Sequence, residues 1–292
     1  MIKVAHLADI HIRNLKFHNE YRQVFTHLYE KLAEEKPDVI VVVGDLAHTK
    51  TQLSPEYFDM CANFLASLGN ISKTIVTLGN HDGNLRTIHR QDAITPIVEA
   101  LDDPSVVLLK KSGEYPLENG IVFNNLSIFD EEGWIDPSDP EKINIALYHG
   151  SVSGCQTDAG WVMEHGESEI AIFEEFDFAM LGDIHKTNQT LDKQGRIRYC
   201  GSLVQQNHGE TNDKGFLLWE IESKDDFTVR HVQIENPKPF ITVELTKTGK
   251  MPKGLAVPLG ARLRLVSNNN LPLDRMRKAV DVAKSRFKPT SI

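Results

Sequence analysis

Val39-Ile40-Val41-Val42-Val43-Gly44-Asp45-Leu46-Ala47-His48 runs from an unbroken β-branched stretch into a glycine, an aspartate and a histidine. Five apolar residues without alternation read as a strand buried on both faces, the habit of parallel sheets covered by helices. Lys36-Pro37-Asp38 sets its start, because proline and the residue before it interrupt a helix. Upstream, Phe17, Tyr21, Val24, Phe25, Leu28 and Leu32 recur at helical spacing, and Ile2–Ala8 is a short apolar run. Downstream, Phe58, Cys61, Phe64, Leu65 and Leu68 mark another helix, Ile75–Leu78 another strand and Ala93–Leu101 a short helix. Strands then dominate: Val106–Leu109, Ile121–Phe123, Ile143–Tyr148, Phe178–Leu181, Ile197–Cys200, Phe216–Ile221 and Val229–Ile234, with a helical stretch at Glu169–Phe176. The order predicts a layered α/β fold with β-sheets sandwiched between helices. Asn236-Pro237-Lys238-Pro239 reads as a boundary. Residues 1–235 are therefore expected as the main domain. Residues 236–292, with strands at Phe240–Leu245 and Ala261–Val266 and a helix at Leu273–Phe287, are expected as a small, partial α/β module.

A chain of 292 residues suits one large domain plus a smaller one. Its net charge of −9 argues against a protein that simply coats nucleic acid. It argues less against an enzyme, because a metal site gathers carboxylates and bound cations reverse the local field. Arg13 with Lys16, and Arg86 with His89 and Arg90, form local basic clusters, equally readable as solvated loops. Cys61, Cys155 and Cys200 are odd in number and widely spaced, which predicts buried thiols in a reducing compartment. Neither a membrane-length apolar run nor a secretory leader stands out, so the expected location is the cytoplasm.

Five segments share one design, an apolar strand ending in metal-ligand residue types. They are Asp9-Ile10-His11, Gly44-Asp45, Gly79-Asn80-His81-Asp82, His149-Gly150 and Gly182-Asp183-Ile184-His185. Open α/β sheets place their sites at the carboxyl ends of strands. Aspartate oxygen, histidine nitrogen and the neutral amide oxygen of Asn80, without thiolate, suit manganese, iron or catalytic zinc and not a structural zinc. Eight or so donors exceed what one ion takes and suit two ions roughly 3.5–4 Å apart. Each segment alone has an ordinary structural reading, as a turn or a helix cap. The ordered set of five does not. His6, His18, His27, His89, His165, His208 and His231 lack partners at motif spacing and read as surface or core residues.

That order of motifs resembles the calcineurin-like metallophosphoesterases. Gly44-Asp45-Leu46-Ala47-His48, Tyr199-Cys200-Gly201-Ser202, Glu210 and Lys214-Gly215-Phe216 narrow the likeness, over about residues 1–235, to the SbcD-type nucleases of double-strand-break repair. The resemblance implies the layered metallophosphoesterase fold, with residues 236–292 as a DNA-binding capping domain. It implies one ion, most simply manganese, on Asp9, His11, Asp45 and His185. A second ion would sit on Asp45, Asn80, His149 and Asp183, with Asp45 as the bridge. His81 would be catalytic, facing the scissile phosphate and donating a proton, with Asp82 orienting it. His48 would touch the phosphate or the strand beside it. Family members usually carry histidine where this chain has Asp183, which puts metal preference in question.

The implied activity is a 3′-to-5′ DNA exonuclease and single-strand endonuclease in repair and recombination, in a bacterial or phage-infected cell. The implied partners are DNA, an SbcC-type SMC-like ATPase and a second copy of the chain. The dimer would use helices near Pro55–Leu68 and Ala93–Leu101, through Tyr57, Met60, Ile94, Ile97 and Leu101. The helical segment by which family members grip the ATPase is not recognisable here. Two readings compete: a phosphatase or cyclic-nucleotide phosphodiesterase of the same chemistry, and a DNA-end-binding scaffold with a weakened site.

Overall fold

A computed structural model describes residues 1–118 and 120–292. Among the described residues the strands are β1 Ile2–Leu7, β2 Val39–Val43, β3 Lys73–Thr77, β4 Val106–Leu109, β5 Gly113–Pro116, β6 Ile121–Leu126, β7 Ile143–His149, β8 Phe178–Gly182, β9 Gln189–Thr190, β10 Ile197–Tyr199, β11 Gly215–Ile221, β12 Phe227–Gln233, β13 Phe240–Glu244 and β14 Arg262–Val266. The helices are α1 His18–Glu35, α2 Pro55–Ile71, α3 Thr95–Leu101 and α4 Leu273–Phe287.

Two six-stranded sheets form the centre, in the orders β12-β11-β1-β2-β3-β4 and β5-β6-β7-β8-β10-β9. β1 to β4 run parallel, as do β6, β7, β8 and β10. The β2 run explains itself in this setting. Val39, Val41 and Val43 face the second sheet, meeting Phe123, Ile145, Leu147 and Met180. Ile40 and Val42 face the other way, into the layer of α1, α2 and α3. Both faces of the strand are dry, so alternation with polar residues would leave unpaired groups in a core. The outer face of the second sheet is covered by Trp134, Met163, Ile172 and Phe173 from loops and a 3₁₀ turn. The helix expected at Glu169–Phe176 is that single turn, Ile170–Phe173. Its β-branched and aromatic residues are weak helix formers.

The helices start and stop where their ends are satisfied. Ser54 accepts the Tyr57 amide at 3.3 Å and Pro55 opens α2. α1 closes on Lys36, in a left-handed conformation, whose amide returns to Leu32. Their apolar stripes settle the expected dimer contacts differently. Tyr57, Met60, Ile94 and Ile97 are buried in the chain's own core, and Leu101 packs against it. A helical stripe identifies side chains that need cover, and here the chain's own first sheet covers them.

The chain divides into two compact units, residues 1–204 with 213–235, and residues 205–212 with 236–292. The second unit therefore also takes Gln205–Asn212, a segment that sequence reading kept in the first. In it, β13 and β14 pair in parallel, and Val243, Leu263, Ala283 and Phe287 make a small core. Gln205 uses its side-chain amide like a strand, accepting from the Phe240 amide and donating to the Phe240 carbonyl, both at 2.9 Å.

Candidate metal centre

Every proposed donor lies at or just past the carboxyl end of a strand, on one end of the two sheets. Asp9 and His11 follow β1, Asp45 follows β2, Asn80 to Asp82 follow β3, His149 ends β7, and Asp183 and His185 follow β8. The chain must turn sharply at each. Asp9, His11, Asp45 and Asp183 have φ of 52°, 50°, 55° and 93°, in the left-handed region. For residues with a side chain this costs about 1–3 kcal/mol each, and such strain gathers at functional sites. Two glycines make room. Gly44 has φ 77°, and a methyl there would strike the His149 ring. A methyl on Gly79 would strike the Asp45 carboxylate and His149 Nε2.

The donor atoms form two overlapping groups. In the first, His11 Nε2 lies 3.0 Å from His185 Nε2, 3.6 Å from Asp45 and 3.8 Å from Asp9, and His185 Nε2 lies 3.9 Å from Asp9. Donors held about 2.1 Å from one ion stand roughly 3.0–3.4 Å from each other. In the second group, His149 Nε2 lies 3.4 Å from Asp45 and 3.9 Å from Asp183, and the Asn80 amide nitrogen lies 3.3 Å from Asp183. Asp45 belongs to both groups. His149 Nδ1 donates to the Val43 carbonyl at 2.7 Å. That fixes the tautomer and turns Nε2, a bare acceptor in the neutral ring, toward the carboxylates, the arrangement metal-binding histidines use. His149 Nε2 and Asn80 Oδ1 are buried without a hydrogen-bond partner.

The electrostatics describe a site short of positive charge. Burial pushes Asp9 up to about 6, and burial with the Asp45 carboxylate pushes Asp82 up to about 7. Burial also raises Asp183. Burial alone would lower His149, but the Asp45, Asp9 and Asp183 carboxylates outweigh it and raise it well above its ordinary value. Burial would likewise raise Asp45, but His149 and His11 hold it below the usual carboxylate range. A proton on His149 and a divalent cation are alternative ways to neutralise this cluster. The orphaned atoms, the donor spacing and the O/N chemistry thus all fit two divalent ions.

His81 and His48 stand at the open face. His81 is exposed, and its Nδ1 donates to the His48 carbonyl at 2.7 Å. The expected role of Asp82 in orienting His81 is filled by that carbonyl instead. Asp82 is fully buried and accepts the amides of Asp45, Ala47 and Gly79 at 2.8, 2.8 and 2.9 Å. A carboxylate has lone pairs for several such bonds, and these three amides belong to two metal-site loops. One nitrogen of His81 also lies in a tight group with His11 and Asp45. The His48 ring stacks beside that of His81 with centroids 6.1 Å apart. Burial, and then the nearby Arg13 guanidinium, push His48 down to about 4. Beside them lies a groove of about 430 Å³ lined by His48, Thr49, Lys50, Asn80, His81 and Leu85.

Cys61, Cys155 and Cys200 are buried free thiols. His6 is buried against the Leu181 carbonyl at 3.2 Å, and His208, in the second unit, contacts the Arg262 carbonyl at 3.2 Å. Sequence reading gave no role to one pair. Lys214 Nζ is buried, 2.7 Å from the Asp158 carboxylate and 2.6 Å from the carbonyl of His185. A lysine two residues before the apolar run Phe216-Leu217-Leu218-Trp219 was the available signal. Asp158 offered none.

The comparisons agree with this geometry. The model of the calcineurin-like phosphoesterases matches residues 2–187, so the chain belongs to that family. It is 36% identical over 281 residues to protein R555 of Acanthamoeba polyphaga mimivirus, covering 91% of this chain and 20% of the viral one. It thus spans about a fifth of that relative. Protein 244L of invertebrate iridescent virus 6, whose name assigns it provisionally to the phosphoesterases, is 25% identical over 74% of this chain and 75% of its own. The SbcD component of the nuclease SbcCD from Staphylococcus epidermidis is 25% identical over 76% of this chain and 67% of its own. Residues 2–187 thus carry that family's fold together with a candidate binuclear His/Asp site.

Proposed function

We propose that this phosphoesterase cleaves DNA, as exonuclease and single-strand endonuclease. The observation that carries the reading is an asymmetry of charge. The second unit holds twelve Lys and Arg against four Asp and Glu, a formal charge of +8 in a chain whose total is −9. A basic module on an acidic enzyme suits a long polyanion, where a small phosphoester needs only the site itself. The name of the staphylococcal relative, a nuclease subunit, points the same way.

Asp9, His11, Asp45 and His185 would hold one ion, and Asp45, Asn80, His149 and Asp183 the other. When bound, the two ions neutralise phosphate charge and activate water. His81, its Nδ1 tied to the His48 carbonyl, would stabilise charge on the phosphoryl oxygens and hand a proton to the departing oxygen. His48, with Arg13 and Lys50 nearby, contacts the phosphate next along the strand. Manganese is the preferred ion of this reading. A second copy and an SbcC-type ATPase are its partners, with the dimer surface to be sought on residues other than the buried Tyr57, Met60, Ile94 and Ile97.

The test incubates the protein and manganese with end-labelled single- and double-stranded DNA, beside a chromogenic phosphodiester. Cleavage of DNA, lost in Asp45→Ala with unchanged circular dichroism, is expected. Turnover of the small ester with intact DNA would favour a phosphatase or cyclic-nucleotide phosphodiesterase. Tight DNA binding without turnover of either substrate would favour a scaffold.

A further inference from the structure

The loop after β7 carries the most exposed tryptophan of the described residues. Trp161 is 62% exposed, with Val162 beside it at 44%. Exposing a large rigid aromatic side chain forfeits burial that would stabilise the fold, and a single one can be incidental. This one stands on a braced support. Residues 156–162 form a tight hairpin, with Gln156 bridged to Val162, the Thr157 amide on the Trp161 carbonyl at 2.9 Å and the Gly160 amide on the Thr157 carbonyl at 2.9 Å. The hairpin is fastened to the segment that carries His185. Gln156 donates its amide to the Gln189 side chain at 2.6 Å and takes a bond from Lys186. Buried Lys214 bridges Asp158 of the hairpin, at 2.7 Å, and the carbonyl of His185, at 2.6 Å. Asp158 is thus one lysine away from a metal-site residue, and Trp161 is three residues further, at most roughly 10 Å of chain.

The loop is acidic in sequence, but most of its carboxylates are engaged with the protein. Asp158 meets Lys214, Glu167 takes the Ser151 amide at 3.2 Å, and Glu169 takes the Ser153 hydroxyl at 2.6 Å. What the tip offers is an apolar, planar face beside a phosphoester site. Nucleobases stack on such faces with little regard to sequence.

We propose that Trp161 is a stacking platform for an unpaired base of the substrate strand, and that the Lys214–Asp158 pair fixes its distance from the metal centre. This rests on the DNA reading above and adds a specificity-determining residue to it.

The test crosses a change in the protein with a change in the strand. Full-length wild type and Trp161→Ala, with manganese replaced by calcium to slow turnover, are titrated with a single-stranded oligothymidylate and with an abasic strand of equal length. Wild type should bind the base-bearing strand on the order of tenfold or more better than the abasic one. Trp161→Ala should erase most of that ratio, and Trp161→Phe should restore much of it. Tryptophan fluorescence of the wild type should be quenched by the oligothymidylate and not by the abasic strand, because Trp219 is buried and Trp134 is half-buried with its ring nitrogen on the Ser127 carbonyl. With manganese, Trp161→Ala should raise KM on single strands more than it lowers kcat. A base-to-abasic ratio equal in wild type and Trp161→Ala, with DNA still cleaved, would overturn the platform alone. A wild type that hydrolyses the chromogenic ester but binds neither strand would overturn the platform and the DNA reading together.

Discussion

At the residue scale the site is built from side chains that sit uncomfortably. Asp9, His11, Asp45 and Asp183 take left-handed backbone conformations, and Asp9 and Asp45 are almost wholly removed from water. Divalent cations would neutralise this charge, which is why loss of a donor and loss of a proton-transfer group should look different. His81→Ala is expected to lose turnover by about 100-fold or more while keeping both ions, since general acid catalysis contributes on that scale. Calorimetry with manganese that counts one ion in place of two would instead make His81 a ligand, as its proximity to His11 and Asp45 allows. Asp183 contributes the extra negative charge. Asp183→Ala should weaken the second ion more than the first, and Asp183→His should keep activity with preference shifted toward softer ions. If Asp183→Ala costs only about 10–100-fold at both sites alike, the carboxylate supports its neighbours without holding metal.

At the scale of elements, the loops are a set fastened to one another. Asp82 ties the loop after β2 to the loop after β3 through the Asp45, Ala47 and Gly79 amides. Asp82→Ala strands three buried donors, each worth about 1–3 kcal/mol, offset in part by removing a carboxylate whose burial already pushes it up to about 7. The expected net loss is on the order of 2–5 kcal/mol in chemical denaturation, with weaker binding at both ions, because Asp45 lies in both donor groups. Unchanged denaturation with one ion selectively lost would show that Asp82 acts on a single donor. The helices obey a simpler rule. The apolar stripes of α1 and α2 are taken up by the first sheet, where Phe25 and Phe64 meet with ring centroids 4.5 Å apart. They are therefore closed to a second copy.

At the scale of the whole molecule, charge and burial set two responses to solution conditions. His6 is wholly buried, and burial lowers it from an ordinary 6.5 to about 3. The unfolded chain therefore takes up this proton at higher pH than the folded chain. The stabilisation from keeping His6 neutral is complete above pH 6.5 and is lost as pH falls from there toward 3. Denaturation of wild type and His6→Leu at successive pH values isolates the effect. The wild type should lose on the order of several kcal/mol relative to the variant over that window, and parallel curves would contradict the assignment. The second response is to salt. If the basic unit meets phosphates, log affinity for DNA falls linearly with log salt. Lys278→Glu with Lys284→Glu, both exposed on α4, should make that slope shallower by roughly two. A slope unchanged by the pair would remove α4 from the DNA path. Among the described residues, no helix is long and apolar enough to cross a membrane.

The sequence by itself determined the layers and the address of the site. β2 and β4 begin and end where the apolar pattern places them, because strand periodicity and Pro37 act over a few residues. The donor types at five strand ends were legible for the same reason: glycine, aspartate and histidine on short turns are local choices. Only the tertiary structure decided which partner each group takes. Nothing near Asp82 in the chain distinguishes its ring neighbour from three backbone amides, and His81 found a carbonyl 33 residues away. Lys214 and Asp158 are separated by 56 residues, and many acids could have met that lysine before folding brought this one to it. Likewise periodicity told which faces of α2 and α3 must be covered, and not whether the cover was the chain's own sheet. Local pattern fixes the chemistry that a position demands, and long-range packing chooses among the many groups able to meet it.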